Sequence, residues 1–312
     1  MNAWLATLIQ VAAVVVSAPL LVGLMRQVRA RLEGRAGAGI GQPWRDLRKL
    51  LRRQPVSPDG TGWAFRLAPL ILVGTSLVLA AVVPLLTTAS PLDPAADLFA
   101  VVGLLALGTV ALALAALDTG TAFGGMGASR EMTVLALVEP TILLAVFALS
   151  ARVGSTNLGA IVTATLHHPI RVVSPASLLA AVALVIVTIA ETGRLPVDNP
   201  ATHLELTMIH EAMILEYAGA DLALVELAAS MRLTVLLGLL ASLFAPWGIA
   251  GAGLVGLPLA LLAFAVKLGV LGAALATAEV FVAKLRLFRV PELLAGSFLL
   301  ALLAVATSFF LA

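Results

Sequence analysis

"WLATLIQVAAVVVSAPLLVGLM", residues 4 to 25, contains no charged side chain and is long enough to cross a lipid bilayer. A spanning helix needs about 20 mostly apolar residues, and a helix satisfies the backbone hydrogen bonds that hydrocarbon cannot. No basic segment precedes this run, and the run is longer than the apolar part of a signal peptide. We therefore expect a first spanning helix that is retained.

Seven further apolar runs follow this one. Hydrophobic residues make up 61% of the 312 positions, whereas a soluble domain is about 45–50% apolar. The mean hydropathy is +1.08. We predict a single polytopic domain over residues 1–312, an all-α integral membrane protein with about eight transmembrane helices, at approximately 4–25, 66–87, 97–117, 132–150, 175–192, 221–245, 258–283 and 291–311.

The composition also limits which cofactors the chain can hold. There is no cysteine, which excludes disulfides and cysteine-ligated iron–sulfur or zinc sites, and four histidines leave little scope for a metal site. The formal charge of +2 gives no support to nucleic acid binding. We expect no cofactor in this chain, so a redox cofactor must belong to a partner subunit.

The basic residues predict the orientation in the membrane. Ten of the 19 Lys and Arg residues lie between Arg26 and Arg66, after the first predicted span. With eight alternating spans, Arg130, Arg194, Lys284, Arg286 and Arg289 fall on the same side, and only Arg152 and Arg171 fall opposite. The positive-inside rule then places the first loop in the cytoplasm and both termini outside, across a bacterial or archaeal cytoplasmic (inner) membrane.

"QPWRDLRKLLRRQ", residues 42 to 54, predicts an amphipathic helix on the cytoplasmic side. Its apolar face carries Trp44, Leu47, Leu50 and Leu51, and Pro43 suits its first turn. Such a helix lies at a headgroup surface or docks on a partner, and the sequence leaves both readings open. Trp44 and Arg45 are candidate contacts with a cytoplasmic partner.

"IAETGRLPVDNPATHLELTMIHEAMILEYAG", residues 189 to 219, concentrates charge in an apolar chain. Six of the 17 acidic residues lie between residues 191 and 221. Asn199 is suited to cap a helix that ends at Gly219, which predicts an acidic helix in a cytoplasmic loop. One face of that helix would carry Glu205, Ile209, Ala212 and Glu216, and the opposite face His203 and His210.

Charged residues also occur inside the predicted spans, where each costs about 2.5–3.5 kcal/mol at the helix centre. With the predicted orientation the acids lie in the cytoplasmic part of their helices, and the two cations lie nearer the midplane. This layering suggests a hydrated acidic inlet that ends at fixed cations; the alternative is a set of snorkelling or paired structural charges. The residues are Glu139, Glu191, Glu226, Arg232, Lys267 and Glu279.

Glu139 is followed by Pro140, which removes a backbone hydrogen bond and frees the Ala136 carbonyl. A carboxyl group in such a place can exchange protons near neutral pH, so a nearby change in charge could shift a whole row of glutamates.

Two other motifs are discounted. "HEAM" from His210 lacks the second histidine of a zinc-protease motif, because Ile214 stands at that position. "GGMG", residues 124 to 127, is interpreted as a tight turn rather than a phosphate loop. No nucleophile with an adjacent base is visible, so we expect a non-catalytic subunit.

Three ordered motifs resemble those of the complex I subunit 1 family. "ETGRLPVDNPATHLELTMIHEAMILEYAG" is similar to the signature of that family. "LEGRAGAGIGQPWRDLRKLLRR" and "FGGMGASREMTVLALVEP" resemble the branch found in formate hydrogenlyase and hydrogenase-4 (component C), which are energy-converting membrane-bound hydrogenases. The resemblance covers essentially the whole chain. Ala229 stands where quinone-reducing members have a glutamate, and Glu226 lies one turn earlier; Ala38 replaces a usual proline.

The resemblance implies eight spans at the heel of a membrane arm, with the loop between the fifth and sixth spans against a hydrophilic arm. It implies a nickel–iron (NiFe) centre and iron–sulfur clusters in partner subunits. These partners would be hydrogenase large and small subunits and an iron–sulfur subunit on the cytoplasmic side, together with antiporter-like membrane subunits. Glu139, Glu191 and Glu216 match family positions assigned to proton or coupling pathways.

Our leading hypothesis is a membrane-arm subunit that joins a redox arm to a proton path. Arg194 is expected to pair with one of the acids or to hold the loop. Two alternatives remain: a quinone-binding subunit of an NADH:quinone oxidoreductase-type complex, and a passive anchor without ion transport. The predicted arm interface comprises Arg194, Asp198, Glu205, Glu211, Glu216, Trp44 and Arg45, and the predicted path comprises the six charged residues of the spans.

Overall fold

A computed structural model describes residues 2–168, 174–198, 208–251 and 255–310 of the chain. The regular structure of these residues is helical. In chain order the α-helices are α1 Asn2–Leu32, α2 Gln42–Leu51, α3 Trp63–Val82, α4 Leu98–Asp118, α5 Ala122–Val153, α6 Leu158–His167, α7 Pro175–Glu191, α8 His210–Ile214, α9 Gly219–Phe244, α10 Leu257–Phe281 and α11 Val290–Phe310.

The prediction of an all-α membrane protein is confirmed. Seven helices are long and apolar enough to cross a bilayer, namely α1, α3, α4, α5, α9, α10 and α11. The fifth predicted span corresponds to α7, which has 17 residues and is at the short limit for a crossing helix. Length and composition therefore support seven spans, and the predicted eighth rests on α7.

The helices pack into one bundle. α3 lies between α4 and α9, α11 packs on α5 and α7, and α10 packs mainly on α1. α2 contacts α1 and α9 at one end of the bundle, called here the α2 end. The large side chains buried completely between the spans include Met25, Leu105, Ile142, Leu184 and Met231.

The predicted turn at residues 124–127 is wrong, because these residues are helical and belong to the first turns of α5. Thr121 caps this helix by accepting a hydrogen bond from the Gly124 N–H at 3.2 Å. A Cβ on Gly127 would lie 3.0 Å from the Ile209 carbonyl and from the Ala212 side chain. Gly127 therefore allows α8 to pack closely on α5.

α3 also departs from its predicted bounds. It ends at Val82 rather than near residue 87, because Pro84 disfavours a helical residue before it.

The amphipathic helix is confirmed as α2, which ends at Leu51, three residues before the predicted end. Pro43 and Leu47 are buried, whereas Leu51 is exposed. The Trp44 indole Nε1–H donates to the Val16 carbonyl of α1 at 3.2 Å. This apolar face therefore packs on the bundle itself, which the sequence alone did not decide.

The long acidic helix predicted from Asn199 to Gly219 is wrong in its C-terminal part. Residues 199–207, including His203 and Glu205, lie outside the described residues, and the described helix is only the short α8. Gly219 begins α9 with a φ of +58° instead of ending α8. A Cβ there would lie 2.4 Å from the Gln54 carbonyl, so the close approach of the loop after α2 requires glycine.

Tyr217 gives the physical reason for the early end of α8. Its ring stacks on Phe65 of α3 with centroids 4.2 Å apart, and its hydroxyl donates to the Phe65 carbonyl at 2.9 Å. Burial raises the pKa of this hydroxyl, so it remains a donor. A helix continued through Glu216 would not deliver Tyr217 to this position.

Candidate functional site

A cavity of about 230 Å³ opens at the α2 end between the spans and the segment that follows α7. Apolar side chains of α1, α3 and α4 form part of its wall, including Val22, Leu72 and Leu105. Neutral polar side chains such as Thr75 and Thr109 and a set of ionisable side chains complete the wall. The ionisable set comprises the acids Asp46, Glu131, Glu191, Asp198, Glu211 and Glu226, the cations Arg26, Arg29, Arg194 and Arg232, and the imidazole of His210.

Glu191 and Arg232 form a buried ion pair on the wall of this cavity. Glu191 is the last residue of α7, where the helix dipole disfavours an anion, and its side chain is 1% exposed. The Arg232 guanidinium of α9 also donates to the Leu105 carbonyl at 2.8 Å and to the Thr109 hydroxyl at 2.6 Å. This cation therefore compensates Glu191 and ties α9 to α7 and α4.

Glu279, near the end of α10, lies between two arginines. It pairs with Arg29 of α1, and its Oε1 is 3.3 Å from the Nη1 atom of the Arg194 guanidinium group. Burial, together with the nearby charges of Arg29 and Arg26, lowers the pKa of Arg194 to about 10. Arg194 thus remains protonated at neutral pH, and it links the segment after α7 to α1 and α10.

Asp198 connects the ends of the partly described loop between α7 and α9. Its Oδ2 accepts the N–H groups of Ile209 and His210 at 3.2 and 3.1 Å, and its Oδ1 lies 3.4 Å from the Lys284 amine. The Leu285 N–H also donates to the Pro196 carbonyl at 3.0 Å. Asp198 therefore fixes the start of α8 and holds this loop against the loop between α10 and α11.

His210 lines the cavity at the start of α8. Burial lowers the pKa of its imidazole; the Asp198 carboxylate opposes this shift, and the Arg232 charge reinforces it. The lowered pKa keeps the His210 imidazole neutral at physiological pH.

Glu131 is a cavity residue that the sequence reasoning did not select. It lies on α5 within electrostatic reach of Glu191, Arg232 and Asp198. It was missed because residues 124–127 were interpreted as a turn, which placed Glu131 outside a helix. Recognition that the helix begins at Ala122 would have placed Glu131 about two turns before Glu139.

Glu139 lies on α5 within electrostatic reach of Glu191 and Arg232. One of its carboxylate oxygens is buried and has no hydrogen-bond partner among the described residues. α5 continues through Pro140, which cannot donate to the Ala136 carbonyl. A buried oxygen with free hydrogen-bonding capacity is where water or a proton is best accommodated.

The other predicted site residues fall into separate groups. Glu226 lies on the cavity wall near Arg26 and Asp46, and Ala229 lines the cavity beside it. Glu211 lines the cavity, whereas Glu216 and Trp44 do not, and Arg45 is exposed. Lys267 lies on α10 and is in none of the ion pairs among the described residues.

The described residues contain no group of histidine and acidic side chains arranged to hold a metal ion. The charged groups at the cavity can accept and donate protons, and each can change the proton affinity of its neighbours.

The NADH dehydrogenase family model matches residues 5–310 of the chain. Formate hydrogenlyase subunit 4 of Escherichia coli (strain K12) is 38% identical over 302 residues, which are 95% of this chain and 96% of that protein. Hydrogenase-4 component C of the same organism is 39% identical over 234 residues, 74% of this chain and 71% of the relative. NADH-quinone oxidoreductase subunit 8 of Rhodothermus marinus is 27% identical over 250 residues, 74% of this chain and 70% of that protein.

A solved structure shares the fold. It is a chain of the membrane-bound sulfane sulfur reductase, an archaeal respiratory membrane complex, with a TM-score of 0.85 and 20% identity over 98% of this chain and 99% of that one. The chain is thus a multi-pass membrane protein, and it belongs to the NADH dehydrogenase family, that of complex I subunit 1, together with the formate hydrogenlyase and hydrogenase-4 membrane subunits.

Proposed function

We propose that this chain is a membrane-arm subunit of a respiratory, complex I-like energy-converting hydrogenase of the formate hydrogenlyase type. It anchors a cytoplasmic redox arm and couples electron transfer in that arm to proton translocation. The observation that carries this proposal is the cavity at the α2 end. There, Arg194, Asp198 and His210 of the loop after α7 meet the buried carboxylates of the spans.

The relatives are named as parts of formate hydrogenlyase and hydrogenase-4, so we expect partner subunits. We infer hydrogenase large and small subunits and an iron–sulfur subunit on the α2 end, with antiporter-like subunits beside the chain in the membrane. A nickel–iron centre and iron–sulfur clusters would reside in those partners. The basic residues around α2 favour a cytoplasmic location for this end of the bundle, with both termini outside.

The geometry suggests how coupling would operate. A change of charge in the arm acts first on the loop, where Arg194 and Asp198 hold buried ion pairs with Glu279 and Lys284. Because interactions between buried charges are weakly screened, that change reaches the Glu191–Arg232 pair. Glu139 and Glu131, within electrostatic reach of this pair, then take up or release protons.

Glu191→Gln and Glu139→Gln test the proposal, since each removes a titratable proton and keeps the size of the side chain. In vesicles that contain the whole complex, we expect proton translocation per electron to fall to near zero while the subunits still co-purify. Glu292→Gln is the matched control, because Glu292 is exposed and lies outside the cavity. Unchanged translocation in both the Glu191→Gln and the Glu139→Gln variants would refute coupling and leave a passive anchor.

The apolar wall of the cavity favours one further candidate, a quinone-binding subunit. The volume of about 230 Å³ is below the roughly 300–1,000 Å³ typical of small-molecule sites, which favours water over a bulky ligand. Quinone-dependent turnover of the purified complex, lost on alteration of the charged wall by Glu131→Gln but not by Glu292→Gln, would favour the quinone instead.

A further inference from the structure

Lys267 lies deep in its spanning helix. At a rise of 1.5 Å per residue it lies about 15 Å from Leu257, where α10 begins, and about 21 Å from Phe281, where it ends. The helix is about 37 Å long, whereas the hydrocarbon core of a bilayer is about 30 Å thick. The nearer edge of the hydrocarbon is therefore roughly 11 Å from this residue along the helix.

A lysine ammonium can reach the headgroups only if its side chain covers that distance. The four-carbon stem of lysine is much shorter than this. Lys267 is thus too deep to place its charge in the headgroup region without distortion of the bilayer.

The chain itself offers no counter-charge to Lys267 among the described residues. None of the ion pairs within 4.0 Å among these residues includes it. Two other buried charges of the spans are paired, Glu191 with Arg232 and Glu279 with Arg29. An unpaired cation deep in a spanning helix is unfavourable, so an external partner would stabilise this one.

Lys267 borders an apolar face of α10 that nothing in the described chain covers. Leu259, Leu262, Val266 and Val270 are each more than half exposed and recur at helical spacing. With Lys267 these residues form what we call the Lys267 stripe. Bulk lipid could cover its apolar part, but acyl chains carry no negative charge at this depth.

We propose that the Lys267 stripe binds a transmembrane helix of another membrane subunit, and that this helix carries an Asp or Glu at the depth of Lys267. Charge complementarity commits the proposal to this occupant, since neither lipid tails nor an uncharged helix would compensate the ammonium group. The inference needs only assembly of the chain in a membrane complex. It holds whether or not the chain translocates protons.

Photo-crosslinking in native membranes tests this contact without alteration of Lys267. A benzoyl-phenylalanine placed at Val270 is expected to cross-link to a membrane-spanning peptide that contains Asp or Glu. The same probe at Val182 of α7, also exposed, is the control and is expected to give a different adduct or none. Adducts from Val270 to lipid only, or to a segment without an acid, would overturn the proposal.

A charge exchange then tests the ion pair itself. Lys267→Glu should sharply reduce co-purification of the cross-linked subunit, whereas Lys267→Arg should retain it. Replacement of the partner's acid by Lys together with Lys267→Glu should restore co-purification. Undiminished co-purification of Lys267→Glu would refute the ion pair. Because the readout is assembly, these results are independent of the proton measurements on Glu191 and Glu139.

Discussion

The two ends of the bundle are held together by different kinds of polar interaction. At the α2 end, buried carboxylates and arginines from α1, α7, α9 and α10 pair around a cavity. At the opposite end Asp97 and Arg152 also form hydrogen bonds, but the break after α3 is closed by neutral groups. The Gln10 amide donates to the carbonyls of Ala80 and Val83, both at 2.8 Å, and accepts the Leu86 N–H at 2.9 Å.

Backbone contacts complete that opposite end. The Ala250 N–H donates to the Leu86 carbonyl at 2.8 Å, and the Leu158 N–H donates to the Ala96 carbonyl at 2.8 Å. Neutral hydrogen bonds of this kind do not change when a proton arrives or when a neighbouring charge alters. Buried ion pairs do respond, because each member depends on the charge of the other. The α2 end thus contains buried ion pairs that depend on charge, whereas the break after α3 is held by neutral hydrogen bonds.

Arg232→Met is expected to have the largest effect, because it leaves the Glu191 carboxylate buried without its cation. Loss of one member of a buried pair costs about 3–5 kcal/mol. We expect a clear drop in the melting temperature of the purified complex, measured by thermal unfolding in detergent. The double variant Arg232→Met with Glu191→Gln should recover part of that stability. An Arg232→Met variant as stable as the wild type would contradict the buried pair.

Gln10→Leu should weaken the opposite end and leave the proposed coupling intact. It leaves the Leu86 N–H without its acceptor, at a cost of about 1–3 kcal/mol for a buried unsatisfied group. The same thermal measurement should show this smaller loss, and proton translocation per electron should be unchanged. Ser17→Ala is the control, since the Ser17 hydroxyl donates only to its own helix, at the Val14 carbonyl. Loss of translocation in Gln10→Leu would contradict the separation of the two ends.

His210 should give the smallest effect, a dependence of loop stability on pH. Because burial lowers its pKa below the usual value of about 6.5, the opened loop binds a proton more readily than the closed loop. The closed loop is therefore most stable above that value and loses stability as the pH falls below it. Hydrogen exchange of the Ile209 and His210 amides across this range, corrected for intrinsic rates, measures the effect.

His210→Gln should flatten that pH dependence. The exposed His167, replaced by Gln, is the control and should leave it unchanged. An identical pH profile in wild type and His210→Gln would show that the proton binds elsewhere in the loop.

The sequence predicted the spans because an apolar run of about 20 residues indicates a spanning helix, as residues 4–25 did for α1. It predicted α2 from the alternation of Trp44 and Leu47 with basic residues. It failed at residues 124–127, which are helical and where Gly127 allows close packing of α8. It failed again at Gly219, whose conformation is set by the Gln54 carbonyl from a distant part of the chain. The sequence reasoning missed Glu131 because it did not place the start of α5 at Ala122.

The sequence by itself determined that the chain is a helical membrane protein, that its charge is concentrated after the fifth apolar run, and which family it resembles. These properties depend on local composition and on ordered motifs. Only the tertiary structure decided that Glu191 pairs with Arg232, that Glu279 lies between Arg29 and Arg194, and that Lys267 remains apart. Partners of buried charges come from helices far apart in the chain, and their choice depends on how the bundle packs.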